Sequence, residues 1–119
     1  MLNARTDAFL RAGDRDRQDV VADAINRGQA FLAAGASCVF VPGKLDAATI
    51  SRLVEGIGER KVSVIGLPGS APASSLAGLG VARVSYGPWT QRLALTALAE
   101  TGAGLLGGAD LPDGVRILN

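Results

Sequence analysis

The sequence contains no histidine. A Ser-His-Asp triad, a Cys-His pair and a histidine-ligated zinc site are therefore excluded together. There is one cysteine, Cys38, so neither an intrachain disulfide nor a cysteine cluster can form, and a reducing cytoplasm is the default expectation. Aromatic residues make up only 4% of the 119 residues. Excess charge is also missing: the net charge is +1, which gives no basic footprint for nucleic acid. No run of about 18 apolar residues suggests a membrane span, and no basic segment precedes a short apolar one as in a signal peptide. Any chemistry must rest on carboxylates, Arg, Lys, Tyr, Ser or backbone groups.

What is present is a globular composition, 48% hydrophobic and 19% charged, with 16 glycines. Abundant Gly and Ala with few aromatics suit close packing of helices on a sheet. Four strand-like runs alternate with helix-like runs. The strands are expected at Leu2–Ala8, Ser37–Pro42, Val62–Gly66 and Val81–Tyr86. "SCVFVP" at 37–42 is continuous and apolar, as in a strand buried on both faces.

The first helix can be capped by Asp14 or Asp16, with Val20, Val21, Ala24, Ile25, Phe31 and Leu32 on one stripe. Gly28 falls on that side and predicts a close approach to the sheet. Gly35 follows as a natural C′ residue. A second helix starts at Asp46, turns Ile50, Leu53, Val54 and Ile57 inward and stops at Gly58. A third spans Ser74–Leu79. A fourth opens at Pro88 and runs through Leu98. Residues 102–119 read as a loose tail or short docking segment. Alternating strands and helices predict an α/β fold of parallel βα units, in one domain over residues 1–119.

In such folds the site lies at the C-terminal ends of the strands. Alternation puts Asn3, Arg5 and Asp7 on one face of the first strand and Leu2, Ala4 and Thr6 on the other. Two readings fit. In a barrel mouth, Arg5 can grip a carboxylate or phosphonate with Asp7 orienting it. On an edge strand, Arg5 and Asp7 are solvated or form a structural ion pair. The other strand ends bring Gly43 beside Lys44, Gly66 in the loop "GLPGSAP", and Tyr86 in "SYGPW". The Gly-rich loop could cradle an anion, though it lacks the Gly-Lys-Ser/Thr ending of a Walker motif. Tyr86 and Trp89 can wall a pocket or simply pack. Cys38, inside an apolar strand, reads as inert core.

"NARTDAFL", "AINRGQAFLAAGASCVFVPG" and "GVARVSYGP", in this order, resemble the isocitrate lyase/phosphoenolpyruvate mutase superfamily. The likeness to its 2-methylisocitrate lyase and phosphonomutase neighbours covers roughly residues 2–100. It implies the C-terminal half of a (β/α)8 barrel, strands five to eight. It further implies a Mg2+-dependent site that cleaves or forms a C–C or P–C bond in 2-oxo or 2-hydroxy carboxylates, through an enolate-like intermediate. The family's substrate-binding Arg of "ARTD" falls on Arg5, which becomes the candidate catalytic residue. Asn3, Asp7, Gly43, Gly66 and Tyr86 complete the candidate substrate-binding set.

The family's Asp-x-Asp metal motif and its Lys-Lys-Cys-Gly-His gating segment have no counterpart here. No metal ligand is therefore assigned in this chain. Pro42-Gly43 stands where many lyases carry Glu, and Gly66 where they carry Asn. Met1 lies directly against the first strand motif, so the chain is expected to be a fragment of a full enzyme, inactive alone. Pairing with a missing N-terminal half, or a homo-oligomer in which residues 88–100 dock on a neighbour, are the implied partners besides a small carboxylate. The contrasting expectation is a non-catalytic half-barrel binding or assembly module.

Overall fold

The computed structural model describes residues 1–116. The elements run β1 (Asn3–Arg5), α1 (Arg17–Ala33), β2 (Cys38–Val41), α2 (Ala47–Ile57), β3 (Val62–Ile65), α3 (Ala73–Gly78), β4 (Arg83–Ser85) and α4 (Trp89–Leu106). They form two compact units, Met1–Gly87 and Pro88–Asn119. No described helix is long and apolar enough to cross a membrane.

The first unit holds a four-stranded sheet in the order β1-β2-β3-β4, every neighbouring pair parallel. Sequential parallel strands joined by helices are the repeating unit of a β/α barrel. The expected α/β architecture is therefore observed.

Sequence chemistry sets the helix ends. Asp16 caps α1 by accepting from the Gln18 N–H at 2.7 Å. The helix closes with the Ala36 N–H on the Phe31 carbonyl and the Gly35 N–H on the Leu32 carbonyl, Gly35 having φ 97°. That pair of bonds is a Schellman closure, and it needs a left-handed residue at Gly35. Asp46 caps α2 by accepting from the Thr49 N–H at 2.8 Å, and Arg17 reaches across from α1 to both Asp46 and the Thr49 hydroxyl.

Both helices cover one face of the sheet. Cross-strand partners Ala4, Val39 and Val62 form one row of that face, and Val41, Val64 and Val84 the next. Val20, Val21 and Ala24 of α1 and Ile50, Leu53, Val54 and Ile57 of α2 join these valines in one core. Gly28 does not serve the sheet as expected. A Cβ on it would lie 2.8 Å from Ile57, and a Cβ on Gly56 would lie 2.6 Å from Ile25. The two glycines instead let α1 and α2 cross closely, each receiving an isoleucine of the other helix.

Two other boundaries differ from expectation. β1 is three residues long and not Leu2–Ala8. Thr6 still donates its N–H to the Phe40 carbonyl, but its buried hydroxyl then accepts from the Ala8 N–H, and an Asp7–Arg11 turn carries the chain off the sheet. The tail begins later than Gly102. α4 continues through Leu106, because Ala103, Leu105 and Leu106 offset the helix cost of Gly102 and Gly104, and Gly107 ends it. Residues 117–119 of the expected tail lie outside the described residues. In the second unit no α4 residue is buried, and Arg92 stacks on Trp89 at 5.0 Å.

Candidate functional site

The second face of the sheet carries different chemistry. Register makes Arg5, Phe40, Ser63 and Arg83 one row across all four strands, with Asn3 and Cys38 below and Ile65 and Ser85 above. Side chains in one row share a face because parallel partners point the same way. Two arginines, two serines, an asparagine and a cysteine thus stand where the helix face has mostly valine. Asn3 Oδ1 and Ser63 Oγ are buried and have no partner among the described residues.

Arg5 ends β1 and lies over the Phe40 ring at 5.9 Å. Its Nε donates to Asp7 Oδ1 at 2.6 Å, with 53% of the Arg5 and 32% of the Asp7 side chain exposed. Asp7 reaches Arg5 by leaving the strand, not by alternation along it. An ion pair this exposed adds little stability. Its effect is orientation: Asp7 holds the guanidinium by its Nε edge. The two Nη groups make no hydrogen bond among the described residues. A planar fork held this way can take a carboxylate or phosphonate through two parallel bonds.

The pair opens into a cleft of about 390 Å3 that Arg11, Arg15, Asp23 and Arg27 also line. Asp23 accepts from Arg27 at 2.8 Å and from Arg15 at 3.2 Å. The hydrogen bonds from Arg27 and then Arg15 hold its carboxyl below the ordinary range, and Asp23 in turn raises the Arg27 guanidinium. Four arginines against two aspartates make the cleft electropositive.

The remaining candidates fall elsewhere. Gly66 and Tyr86 come together at the β3–β4 end: the Gly66 N–H donates to the Ser85 carbonyl at 2.8 Å, and a Cβ on Gly66 would lie 2.8 Å from the Tyr86 ring. Tyr86 is half exposed. Gly43 packs on Phe9 after β2. Asn3 sits at the start of β1, beside Cys38 and away from the cleft lining. Only Arg5 and Asp7 of the expected set share the cleft. Cys38 is buried, and burial pushes its thiol above the usual range, so it stays protonated and inert.

Arg83, Arg11, Arg15 and Arg27 were not among the expected site residues. For Arg83 the signal is the alternation in "VARVSY", which sets it opposite Val84. The cleft arginines carry no such signal, because a loop and a helix turn bring them to β1.

Chain order, parallel register and the Arg5–Asp7 strand end converge with one further observation. The model of the family described as Phosphoenolpyruvate phosphomutase matches residues 1–106. The chain belongs to that family. Two solved structures from Burkholderia cenocepacia J2315 are similar to it. One, a "putative phosphonomutase", is 35% identical with a TM-score of 0.72, covering 82% of this chain and 39% of its own. The other, a "putative lyase/mutase", is 34% identical with a TM-score of 0.71, covering 87% and 36%. No curated protein matches. The chain therefore spans less than two fifths of either structure.

Members of this family are generally metal-dependent. The described residues do not assemble a site for Mg2+: no three Cys, Asp or Glu side chains converge, and Asp7 is already paired with Arg5. Mg2+ prefers several oxygen ligands in near-octahedral array. The described residues thus bring together an arginine-rich cleft but no group of carboxylates able to hold the metal.

Proposed function

We propose that the chain supplies the substrate-anion half of a lyase or mutase site. The reaction would break or form a C–C or P–C bond beside the carboxylate of a 2-oxo or 2-hydroxy acid. The observation that carries this reading is the Arg5 guanidinium, fixed by Asp7 through Nε with neither Nη group hydrogen-bonded among the described residues. Arg5 binds the carboxylate bidentately, and the same guanidinium stabilises negative charge that spreads toward the reacting carbon. Asp7 acts as a positioning residue. Its carboxylate does not face the substrate anion directly, since Arg5 lies between them. Metal ligands for the reaction come from outside the described residues, and the isolated chain is an incomplete enzyme.

Calorimetric titration of the chain with oxaloacetate tests the anion role. Binding is expected for the native sequence and about tenfold or more weaker for Arg5→Ala, a loss typical of a removed charged hydrogen-bond donor. Arg5→Lys should restore only part of it, because a point charge lacks the planar fork. Unchanged affinity in Arg5→Ala would remove the reading. With Mg2+ and oxaloacetate, isocitrate or 2-methylisocitrate, no turnover is expected from the chain alone.

A second reading, a non-catalytic binding or assembly module, is favoured by the absence of a metal-donor group among the described residues. The gene region upstream separates the two. An in-frame strand ending in Asp-x-Asp supports the enzyme, and a stop codon immediately before Met1 supports the module.

A further inference from the structure

β2 and the connection after it hold the tip of β1 at three points. The Phe40 carbonyl accepts from the Thr6 N–H at 3.0 Å, and the Phe40 ring lies beneath the Arg5 guanidinium at 5.9 Å. The third point is Gly43, just past the end of β2. A Cβ on Gly43 would lie 3.0 Å from the Phe9 Cβ, so the loop after β1 comes this near because Gly43 has no side chain. Gly43 also has φ 149°, a backbone conformation that residues with a Cβ rarely adopt. Phe9 has a second hold. Arg17 lies over its ring at 5.9 Å and donates to Asp46 Oδ2 at 3.3 Å and to Thr49 Oγ1 at 3.0 Å. Only Asp7 and Ala8 stand between Thr6, bonded to the sheet, and Phe9, seated on Gly43. Ala8 is buried, and its N–H donates to the Thr6 hydroxyl at 3.4 Å. The Asp7 carbonyl accepts from the Arg11 N–H at 2.9 Å, which closes a turn around Phe9. Asp7 is thus bracketed by two anchored residues, and its carboxylate holds Arg5 Nε.

We propose that Gly43 and Phe9 are positioning residues for the Arg5 guanidinium, acting through Asp7. Gly43 serves the site as the seat of Phe9 and not as a contact to the anion. Phe9 fixes the loop, the loop fixes the Asp7 carboxylate, and Asp7 turns the Nη edge of Arg5 toward the cleft. A guanidinium oriented in advance loses less rotamer freedom when an anion binds, so the seat raises affinity without touching the ligand. The proposal rests on the reading of Arg5 as the anion-binding group. It differs from a purely structural role for Phe9 in one respect. Loss of core packing alone would lower stability and leave the Arg5–Asp7 hydrogen bond in place.

The test uses the whole 119-residue chain, isotopically labelled, and follows its arginine Nε–H resonances without ligand. The Arg5 signal is the one that disappears in Arg5→Lys. In Gly43→Ala and in Phe9→Ala it is expected to move toward the unbonded arginines and to exchange faster with water. Calorimetry with oxaloacetate should then show binding about fivefold weaker in both variants, the size of effect expected when one long side chain must be ordered by the ligand. Phe9→Leu keeps an apolar side chain on Gly43 and should keep the native Arg5 signal. Ile57→Val, in the helix crossing, should lower stability and leave that signal unchanged. A native Arg5 signal in both Gly43→Ala and Phe9→Ala would overturn the proposal, and so would the same loss in Ile57→Val. If Gly43→Ala does not fold, Phe9→Ala decides alone, since it introduces no backbone strain. The resonance is read without ligand, so a native chain that fails to bind oxaloacetate removes the substrate reading while the Arg5 signal still decides the positioning.

Discussion

The two faces of the four-stranded sheet are built from the same strands, yet they obey different rules. The helix face is Ala4, Val39, Val62, Val41, Val64 and Val84, closed over by α1 and α2. Its residues alternate with Asn3, Arg5, Cys38, Phe40, Ser63, Ile65, Arg83 and Ser85 on the other face. One face gains its free energy from apolar area removed from water. The other holds Asn3 Oδ1 and Ser63 Oγ buried without a partner among the described residues, a cost to folding, and it is the face that the proposed function uses for recognition. Stability and function are thus separated by a single residue of register, and a one-residue slip would exchange them.

That separation can be broken most sharply at Leu53, which has no exposed surface. Leu53→Ala should lose about 3 kcal/mol in urea unfolding, the usual cost of a cavity in a packed core. Gly56→Leu comes next, at about 2 kcal/mol, because the new side chain must displace Ile25 from the helix crossing. A Gly56→Leu chain as stable as the native one would refute the close crossing.

The recognition face should respond with the opposite sign or hardly at all. Ser63 Oγ is buried without a partner among the described residues, so Ser63→Ala should leave stability unchanged or raise it by up to about 1 kcal/mol. Arg5→Ala should change unfolding by less than about 0.5 kcal/mol, since its pair with Asp7 is exposed, while anion binding falls. The smallest effect is a pH dependence. Asp23 and Asp46 both titrate below their ordinary values in the fold, Asp23 through Arg27 and Arg15, Asp46 through the Thr49 N–H and hydroxyl and then Arg17. Their contribution is present above the ordinary carboxyl range near 3.8 and is lost as pH falls through their lowered values. Thermal unfolding from pH 6 down to pH 2 should show this loss, and it should shrink in Asp46→Asn.

The helix caps were legible because capping is local: Asp16, Gly35, Asp46 and Gly58 act within a few residues of themselves. The strands were legible from their valines, but overextended, since Thr6 turns the chain by a hydroxyl bond that apolar pattern does not carry. Gly28 was recognised as a close-contact residue, and its partner was misassigned. Which neighbour approaches a glycine depends on the crossing of α1 and α2, not on the stripe it occupies.

The site divides in the same way. Arg5 and Asp7 stand in one motif, and their nearness follows from the chain between them. Arg83 stands 78 positions from Arg5 in the sequence, and Arg27 stands 22 away. The row that contains Arg83 exists only through three strand pairings, and the cleft that contains Arg27 only through the packing of α1 beside β1. By itself, the sequence determined the order of parallel βα units, the helix ends and the arginine at the first strand's tip, because propensity, capping and alternation are short-range. Tertiary structure alone decided which charges gather into one cleft, because electrostatic fields add over distance in space and not along the chain.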